Sequence, residues 1–141
     1  MDLDSLTIED LINAENRFID ESYVNAYYAE RLQIIGIVWD GFVTTEQYID
    51  LFKRLIAFGK EHKVIGFYSD IRKQGVISIE GRKFFEKEVT PQAVALGILK
   101  TGAVSDASPF KKYYLNTIIK MTGRPAKICS EPIDALKYLL S

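Results

Sequence analysis

Histidine and cysteine are almost missing from this sequence, which has His62 and Cys129 as its only examples. A zinc site of ordinary composition needs more such ligands than one chain offers here. One cysteine also excludes an intramolecular disulfide, and its place in an apolar run predicts a buried, inert thiol. We therefore expect no metal site, and the sequence disfavours catalysis that depends on histidine or cysteine.

Long apolar runs and glycine-rich phosphate motifs are missing as well. No window approaches the ~18 apolar residues of a membrane-spanning helix, and the first residues lack the pattern of a secretory signal. The nine glycines form neither GxGxxG nor a Walker loop. A formal net charge of −1 lacks the basic excess typical of nucleic-acid binding. The sequence therefore predicts a cytoplasmic protein with no cofactor, nucleic-acid partner or membrane span.

One domain accounts for most of the chain. The 48% hydrophobic and 26% charged residues are ordinary for a globular protein, and no linker divides the sequence. Residues 1–16 are interpreted as an N-terminal arm or a short helix, and residues 17–141 as one α/β domain. Residues 1–30 contain eight acids against Arg17 alone, which indicates a solvated surface or a docking site for a basic partner.

The periodicity of apolar residues predicts the order β-β-α-β-α-β-α-β-α. Residues 17–30 and 32–39 have the composition of two strands, joined as an antiparallel hairpin. Thr44 and Gln47 form a capping-box pattern at the start of the clearest helix. Ser78 caps the next helix, which Pro91 ends or bends. Alternating strands and helices then require a mostly parallel sheet, which the opening hairpin makes mixed.

Several short stretches resemble one known family. They are residues 38–43 (Val-Trp-Asp-Gly-Phe-Val), residues 67–73 (Phe-Tyr-Ser-Asp-Ile-Arg-Lys), residues 91–97 and residues 134–139. Together with the element order, they resemble the STAS domain, the fold of the anti-sigma factor antagonist SpoIIAA. The nearer likeness is to SpoIIAA-like proteins of bacteria such as Bacteroidetes, over about residues 17–141. The resemblance implies a non-catalytic regulatory or protein-binding module.

The chain departs from that family at one motif. STAS antagonists resemble one another in an Asp-Ser-Ser/Thr-Gly run whose serine opens a helix and is phosphorylated. This chain lacks the run and has Ser78 as the nearest hydroxyl at the predicted start of that helix. Ser78 is therefore a candidate phosphorylation site as well as an N-cap, because a phosphate is favoured at a helix N-terminus.

The candidate binding residues follow the predicted strands. Asp70 and Arg72 lie at the carboxyl end of a strand, where open α/β sheets place their ligands. They either hold a ligand or partner, or Asp70 caps loop amides and pairs with Arg72. Trp39 and Asp40 belong to a turn that could line a pocket together with Phe42. Ser108, followed by proline, caps a further helix and is kept as a binding candidate.

Three functions remain open at this point. The leading one is a STAS-like regulatory module, similar to an anti-sigma-factor antagonist, that binds a protein partner near the loops after the third predicted strand, residues 64–68. The alternative is a small-molecule or lipid-binding domain with a pocket between sheet and helices. The second alternative is an enzyme that uses Asp70 and Arg72. A homodimer is compatible with each of them.

Overall fold

The computed structural model describes residues 2–106 and 125–141. The strands in these residues are β1 (Arg17–Glu21), β2 (Val24–Ala29), β3 (Ile34–Trp39), β4 (Gly66–Asp70), β5 (Lys100–Val104) and β6 (Ala126–Cys129). The helices are α1 (Thr45–Glu61), α2 (Ile79–Phe84), α3 (Thr90–Ala95) and α4 (Pro132–Leu140). The predicted helix that Ser108 begins lies outside the described residues. Within the described part of the chain, no helix is long and apolar enough to cross a membrane.

One six-stranded sheet holds these elements together, with the strands in the order β1-β2-β3-β4-β5-β6. The β1–β2 and β2–β3 pairs are antiparallel, and the pairs from β3 to β6 are parallel. Parallel neighbours need crossover connections, and α1 supplies the first of them between β3 and β4. The predicted mixed, mostly parallel α/β sheet is confirmed.

The first strand was predicted incorrectly. Residues 17–30 form two strands, β1 and β2, because the chain reverses at Ser22 and Tyr23 and pairs Glu21 with Val24. The predicted element order was therefore one strand short, and the sheet opens with three antiparallel strands. The turn lacks the glycine or asparagine that usually marks a tight hairpin, so Ser22 is the only residue of the turn that favours a reversal.

The first face of the sheet is covered by α1 and by the helical segment of residues 79–95. The α1 cap is the predicted one: Thr44 Oγ1 accepts from the Gln47 N–H at 3.1 Å, and Gln47 Oε1 accepts from the Thr44 N–H at 2.9 Å. The side of α1 that faces the sheet buries Tyr48, Leu51, Phe52, Leu55, Ile56 and Gly59. An amphipathic helix with a satisfied first turn thus covers the middle of the sheet.

The helical segment does not end at Pro91. The α-helical pattern changes to a π-turn over Phe85–Val89, where the Thr90 N–H reaches back to the Phe85 carbonyl, and then continues as α3. Pro91 has no N–H to donate. The hydrogen bonds change from the α-helical to the π-helical spacing immediately before it, and the segment stays helical.

The second face is covered by α4 and by the first residues of the chain. Residues 3–10 contain two 3₁₀ turns, Leu3–Ser5 and Ile8–Asp10, and the Leu11 side chain is 0% exposed. Glycines in the sheet permit both close approaches. A Cβ at Gly36 would lie 2.8 Å from Leu11 Cδ2, and one at Gly102 would lie 2.8 Å from the Ala135 carbonyl oxygen.

Candidate functional site

The loops after β3 and β4 form one unit at the carboxyl edge of the sheet. The Gly41 N–H donates to the Lys73 carbonyl at 2.7 Å, and the Gly75 N–H donates to the Gly41 carbonyl at 2.8 Å. Gly41 has φ +85°, a conformation that glycine adopts without strain. Parallel strands bring these loops to the same edge, and the hydrogen bonds fix one against the other.

Asp70 and Arg72 form a two-pronged ion pair in this edge. Arg72 Nε donates to Asp70 Oδ1 at 3.0 Å, and Arg72 Nη2 donates to Asp70 Oδ2 at 2.7 Å. The Arg72 backbone N–H also donates to Oδ1, at 3.1 Å. Hydrogen bonding to the Asp70 carboxylate raises the pKa of Arg72. Asp70 is buried, and both of its carboxylate oxygens accept hydrogen bonds from Arg72. The geometry therefore matches the second of the two interpretations given above, in which Asp70 caps a loop amide and pairs with Arg72.

The sheet separates this ion pair from Ser78. Side chains of a strand alternate between faces: Tyr68 packs in the cluster that contains α4 residues, whereas Ser69 accepts from Trp39 Nε1 at 3.2 Å on the α1 side. Asp70 therefore points toward the α4 face. The charge of Glu131, at the start of α4, also raises the pKa of Arg72, which agrees with this placement.

Trp39 and Phe42 do not line one pocket. The Trp39 ring is buried and stacks on Tyr48, with ring centroids 5.6 Å apart, whereas Phe42 is 78% exposed. Asp40, between them, is exposed and its N–H donates to the Tyr23 carbonyl at 2.9 Å. The expected shared pocket is wrong because Trp39 is the last residue of β3 and points into the core, while Phe42 lies beyond the turn.

Ser78 caps α2 as predicted and also connects two helices. Its Oγ accepts from the Gly81 N–H at 3.0 Å and lies 2.5 Å from Thr45 Oγ1. Thr45 is the first residue of α1, so this contact holds the starts of α1 and α2 together. The Ser78 residue is exposed. Phosphorylation of Ser78 remains a prediction, and Ser108 lies outside the described residues.

Three large apolar side chains are exposed on the joined loops and at the start of α2. They are Phe42, Val76 and Ile79, which are 78%, 82% and 63% exposed, and we call them together the apolar platform. Gly75 lies against Phe42, since a Cβ built at Gly75 would lie 3.2 Å from the Phe42 Cα. Val76 is the next residue along the chain. Ile79 follows Ser78, which is tied to Thr45. Val76 and Ile79 were not among the residues predicted from the sequence, although two large aliphatic residues flanking a helix cap are a detectable signal.

The comparison with solved structures identifies the fold. No protein-family model matches the chain, and no curated protein does. An uncharacterized protein from the DUF3478 family, with a SpoIIAA-like fold and from Shewanella loihica PV-4, superposes with a TM-score of 0.61 at 13% identity. The match covers 86% of this chain and 98% of that chain. This chain has a SpoIIAA-like fold. The resemblance seen in the sequence is confirmed, while the likeness to Bacteroidetes proteins stays a prediction.

The SpoIIAA-like domain also contains an apolar cavity between the sheet and its helices. Its volume is about 30 Å³, and it is lined by Ile35, Phe52, Leu55, Ile56, Phe67, Phe85, Val89, Ala93, Ile98 and Thr101. Ligand pockets usually measure roughly 300–1,000 Å³, so this cavity as it stands holds no ligand of that size. It lies where the small-molecule alternative places its pocket, but neither Trp39 nor Phe42 lines it.

Metal-ligating side chains are not grouped in the described residues. Across residues 2–106 and 125–141, no three histidine, cysteine, aspartate or glutamate residues lie close enough together to hold an ion. Cys129 is buried, and burial raises the pKa of its thiol. A raised thiol pKa leaves less of the nucleophilic thiolate at neutral pH.

Proposed function

We propose that this SpoIIAA-like domain is a non-catalytic module that binds a protein through the apolar platform. The observation that carries the proposal is the exposure of Phe42, Val76 and Ile79 on the two joined loops and at the start of α2. Single exposed apolar residues are ordinary, but a contiguous patch usually marks an interaction site. In this proposal the module acts in the cytoplasm and regulates its partner by binding.

The size of the platform supports the proposal. An aromatic side chain offers roughly 150–250 Å², so Phe42, which is 78% exposed, presents on the order of 100–200 Å² by itself. Val76 and Ile79 add smaller aliphatic surfaces. Apolar patches of a few hundred Å² on a monomeric protein are often functional.

The hydrogen bonds beneath the platform support it further. The Gly41–Lys73 and Gly75–Gly41 bonds fix the two loops, and the Thr45–Ser78 contact fixes the adjoining helix starts. A surface that is already ordered loses less conformational entropy on binding. In this proposal the Asp70–Arg72 pair positions the loop from below, Asp40 lies at the rim, and phosphorylation of Ser78 would place charge beside Ile79 and weaken binding.

An enzymatic role has less support. A general base needs a free carboxylate oxygen within reach of its substrate, but both oxygens of Asp70 accept hydrogen bonds from Arg72. The carboxylate also points to the sheet face opposite Ser78. The geometry therefore favours binding over catalysis by Asp70 and Arg72.

A lipid or other apolar ligand is the second candidate. The observation that favours it is the π-turn, since Phe85 and Val89 of that turn line the apolar cavity, and π-turns occur frequently at functional sites. Admission of a ligand requires the turn to move outward. Native mass spectrometry of the protein from its own host tests this candidate: a co-purifying apolar ligand supports it, and the bare polypeptide contradicts it.

Photo-crosslinking in the native host tests the leading proposal. Benzoylphenylalanine is placed at Ile79 in one variant and at Leu99 in a matched control, because both side chains are 63% exposed. We expect a discrete protein adduct from position 79 and no matching adduct from position 99. The same adducts from both positions, or none from position 79, would contradict a protein-binding platform.

A further inference from the structure

We infer that the groove between β1 and α1 binds an arginine side chain of a protein partner. The groove has a volume of about 290 Å³, and its lining includes Phe18, Ile19, Arg54, Phe58, Glu61 and His62. It adjoins the second half of α1, whereas the apolar platform adjoins the first residue of that helix through the Thr45–Ser78 contact. The two surfaces are separate, so the inference does not depend on the platform.

A β-bulge in β1 turns Phe18 toward this groove. Arg17 pairs with Tyr27 and Ile19 pairs with Ala26, so Phe18 is the extra residue. Neighbouring residues of a regular strand point to opposite faces, yet Phe18 and Ile19 both pack in the core cluster that α1 covers, and both line the groove. Bulges often re-aim a side chain beside a functional site. This bulge adds an aromatic ring to the space between β1 and α1.

Three stacked rings form an apolar wall of the groove. The ring centroids of Phe18 and Phe58 lie 4.1 Å apart, and those of Phe58 and His62 lie 3.8 Å apart. Tyr28 meets Phe58 and His62 edge-on, and His62 Nδ1 lies 3.0 Å from the Phe58 carbonyl oxygen. The methylene stem of an arginine packs on such a wall while its charged head stays at the polar rim. Because the rings already pack against one another, they lose little entropy when a ligand binds.

The charge at the groove is acidic. Arg54 is the only lysine or arginine among the described residues that line it. Its guanidinium already contacts two carboxylates, Glu21 at 3.1 Å and Asp50 at 3.8 Å. Glu61 also lines the groove and forms no ion pair with another residue of the described ranges. One base against three acids attracts a cation, and a guanidinium binds a carboxylate such as Glu61 through two parallel hydrogen bonds.

The place of the groove in the sheet favours a protein segment as the source of that cation. Within the described residues, β1 is the terminal strand and pairs only with β2. A partner's backbone can therefore approach from the side while one of its side chains enters the groove. Residues 1–30, which include β1, contain eight acids and one arginine, a surface that suits a basic partner. Arginine fits better than lysine because its planar head matches a carboxylate and lies flat on aromatic rings.

An NMR titration of the full chain with Nα-acetyl-arginine amide tests the inference. The blocked ends imitate an arginine within a protein chain, and at about pH 7.5 an ordinary histidine is neutral. We expect saturable shifts of signals from the groove residues, with a dissociation constant on the order of 1 mM. Nα-acetyl-citrulline amide has the same length without the charge and should bind far more weakly. Equal binding of both probes, or no shifts with the arginine probe, overturns the inference.

Two matched variants locate the binding site. Glu61→Gln should weaken binding of the arginine probe about threefold or more, through loss of one exposed ion pair. Glu46→Gln makes the same change at another exposed position, in the first turn of α1, and should leave binding unchanged. Circular dichroism establishes that both variants fold. Equal weakening by the two variants would mean a general effect of net charge and would contradict the assigned site.

Methylguanidine, the head group alone, distinguishes a protein side chain from a small free cation. It should bind more weakly than the arginine probe because it lacks the stem that packs on the rings. Binding as tight as that of the arginine probe would assign the groove to a free cation and overturn the choice of a protein partner. Failure of these titrations leaves the proposed function standing, because the platform is tested separately by crosslinking from position 79.

Discussion

Replacing Leu11 with alanine tests whether the first residues of the chain belong to the folded domain. The Leu11 side chain is 0% exposed and packs over Gly36 of β3. Truncation of a fully buried leucine typically lowers the free energy of unfolding by ~2–5 kcal/mol, because apolar contacts are lost and a cavity remains. We expect about 3 kcal/mol for Leu11→Ala.

A second substitution at Gly36 makes the test specific to this contact. A Cβ at residue 36 would lie 2.8 Å from Leu11 Cδ2 and 3.1 Å from Ile12 Cδ1, so Gly36→Ala displaces the arm at a cost of about 1–2 kcal/mol. With Leu11 already truncated, the closest contact of the new methyl group is gone, and only the end of the flexible Ile12 side chain has to shift. The double variant should therefore lose about 3 kcal/mol, less than the sum of the single variants, which is the signature of residues in contact.

Urea denaturation followed by circular dichroism measures these free energies. We expect all variants to unfold in one transition with the wild-type slope, because the arm is part of the cooperative unit. Strict additivity of the two substitutions, or a loss below about 1 kcal/mol for Leu11→Ala, would refute the packing argument. The latter result would mean that the arm detaches without unfolding the sheet.

Three further predictions follow from single contacts. Gly102→Ala should destabilise more than Gly36→Ala in urea denaturation, because its Cβ would lie 2.8 Å from the Ala135 carbonyl oxygen, and a backbone atom cannot rotate away. Burial raises the pKa of Tyr68 above its ordinary value of 10.0, so the unfolded chain releases this proton first. Stability should fall as pH rises above that value, and Tyr68→Phe should flatten the fall. Ser78→Ala should cost about 1 kcal/mol in urea denaturation through loss of the cap, whereas Ser78→Asp should keep the cap and most of that stability.

The elements with strong local signals could be predicted from the sequence. The Thr44–Gln47 capping box and the apolar stripe behind it specify α1 because both depend on residues within one or two helical turns. The Ser78 cap was predictable for the same reason, whereas the mixed α/β sheet was predictable from the alternation of strands with helices after an opening hairpin. The reversal at Ser22 and Tyr23 was not predicted, because the turn lacks glycine and asparagine, and tertiary pairing decides the register.

Along the chain, Asp70, Arg72 and Ser78 are close neighbours at the end of one strand, and the sequence by itself determined that a polar loop would follow there. Only the tertiary structure decided which side each residue occupies. Strand alternation directs Asp70 toward α4, and the contact with Thr45 holds Ser78 beside α1. The platform likewise depends on hydrogen bonds between distant segments, because a surface exists only after packing has buried the residues around it.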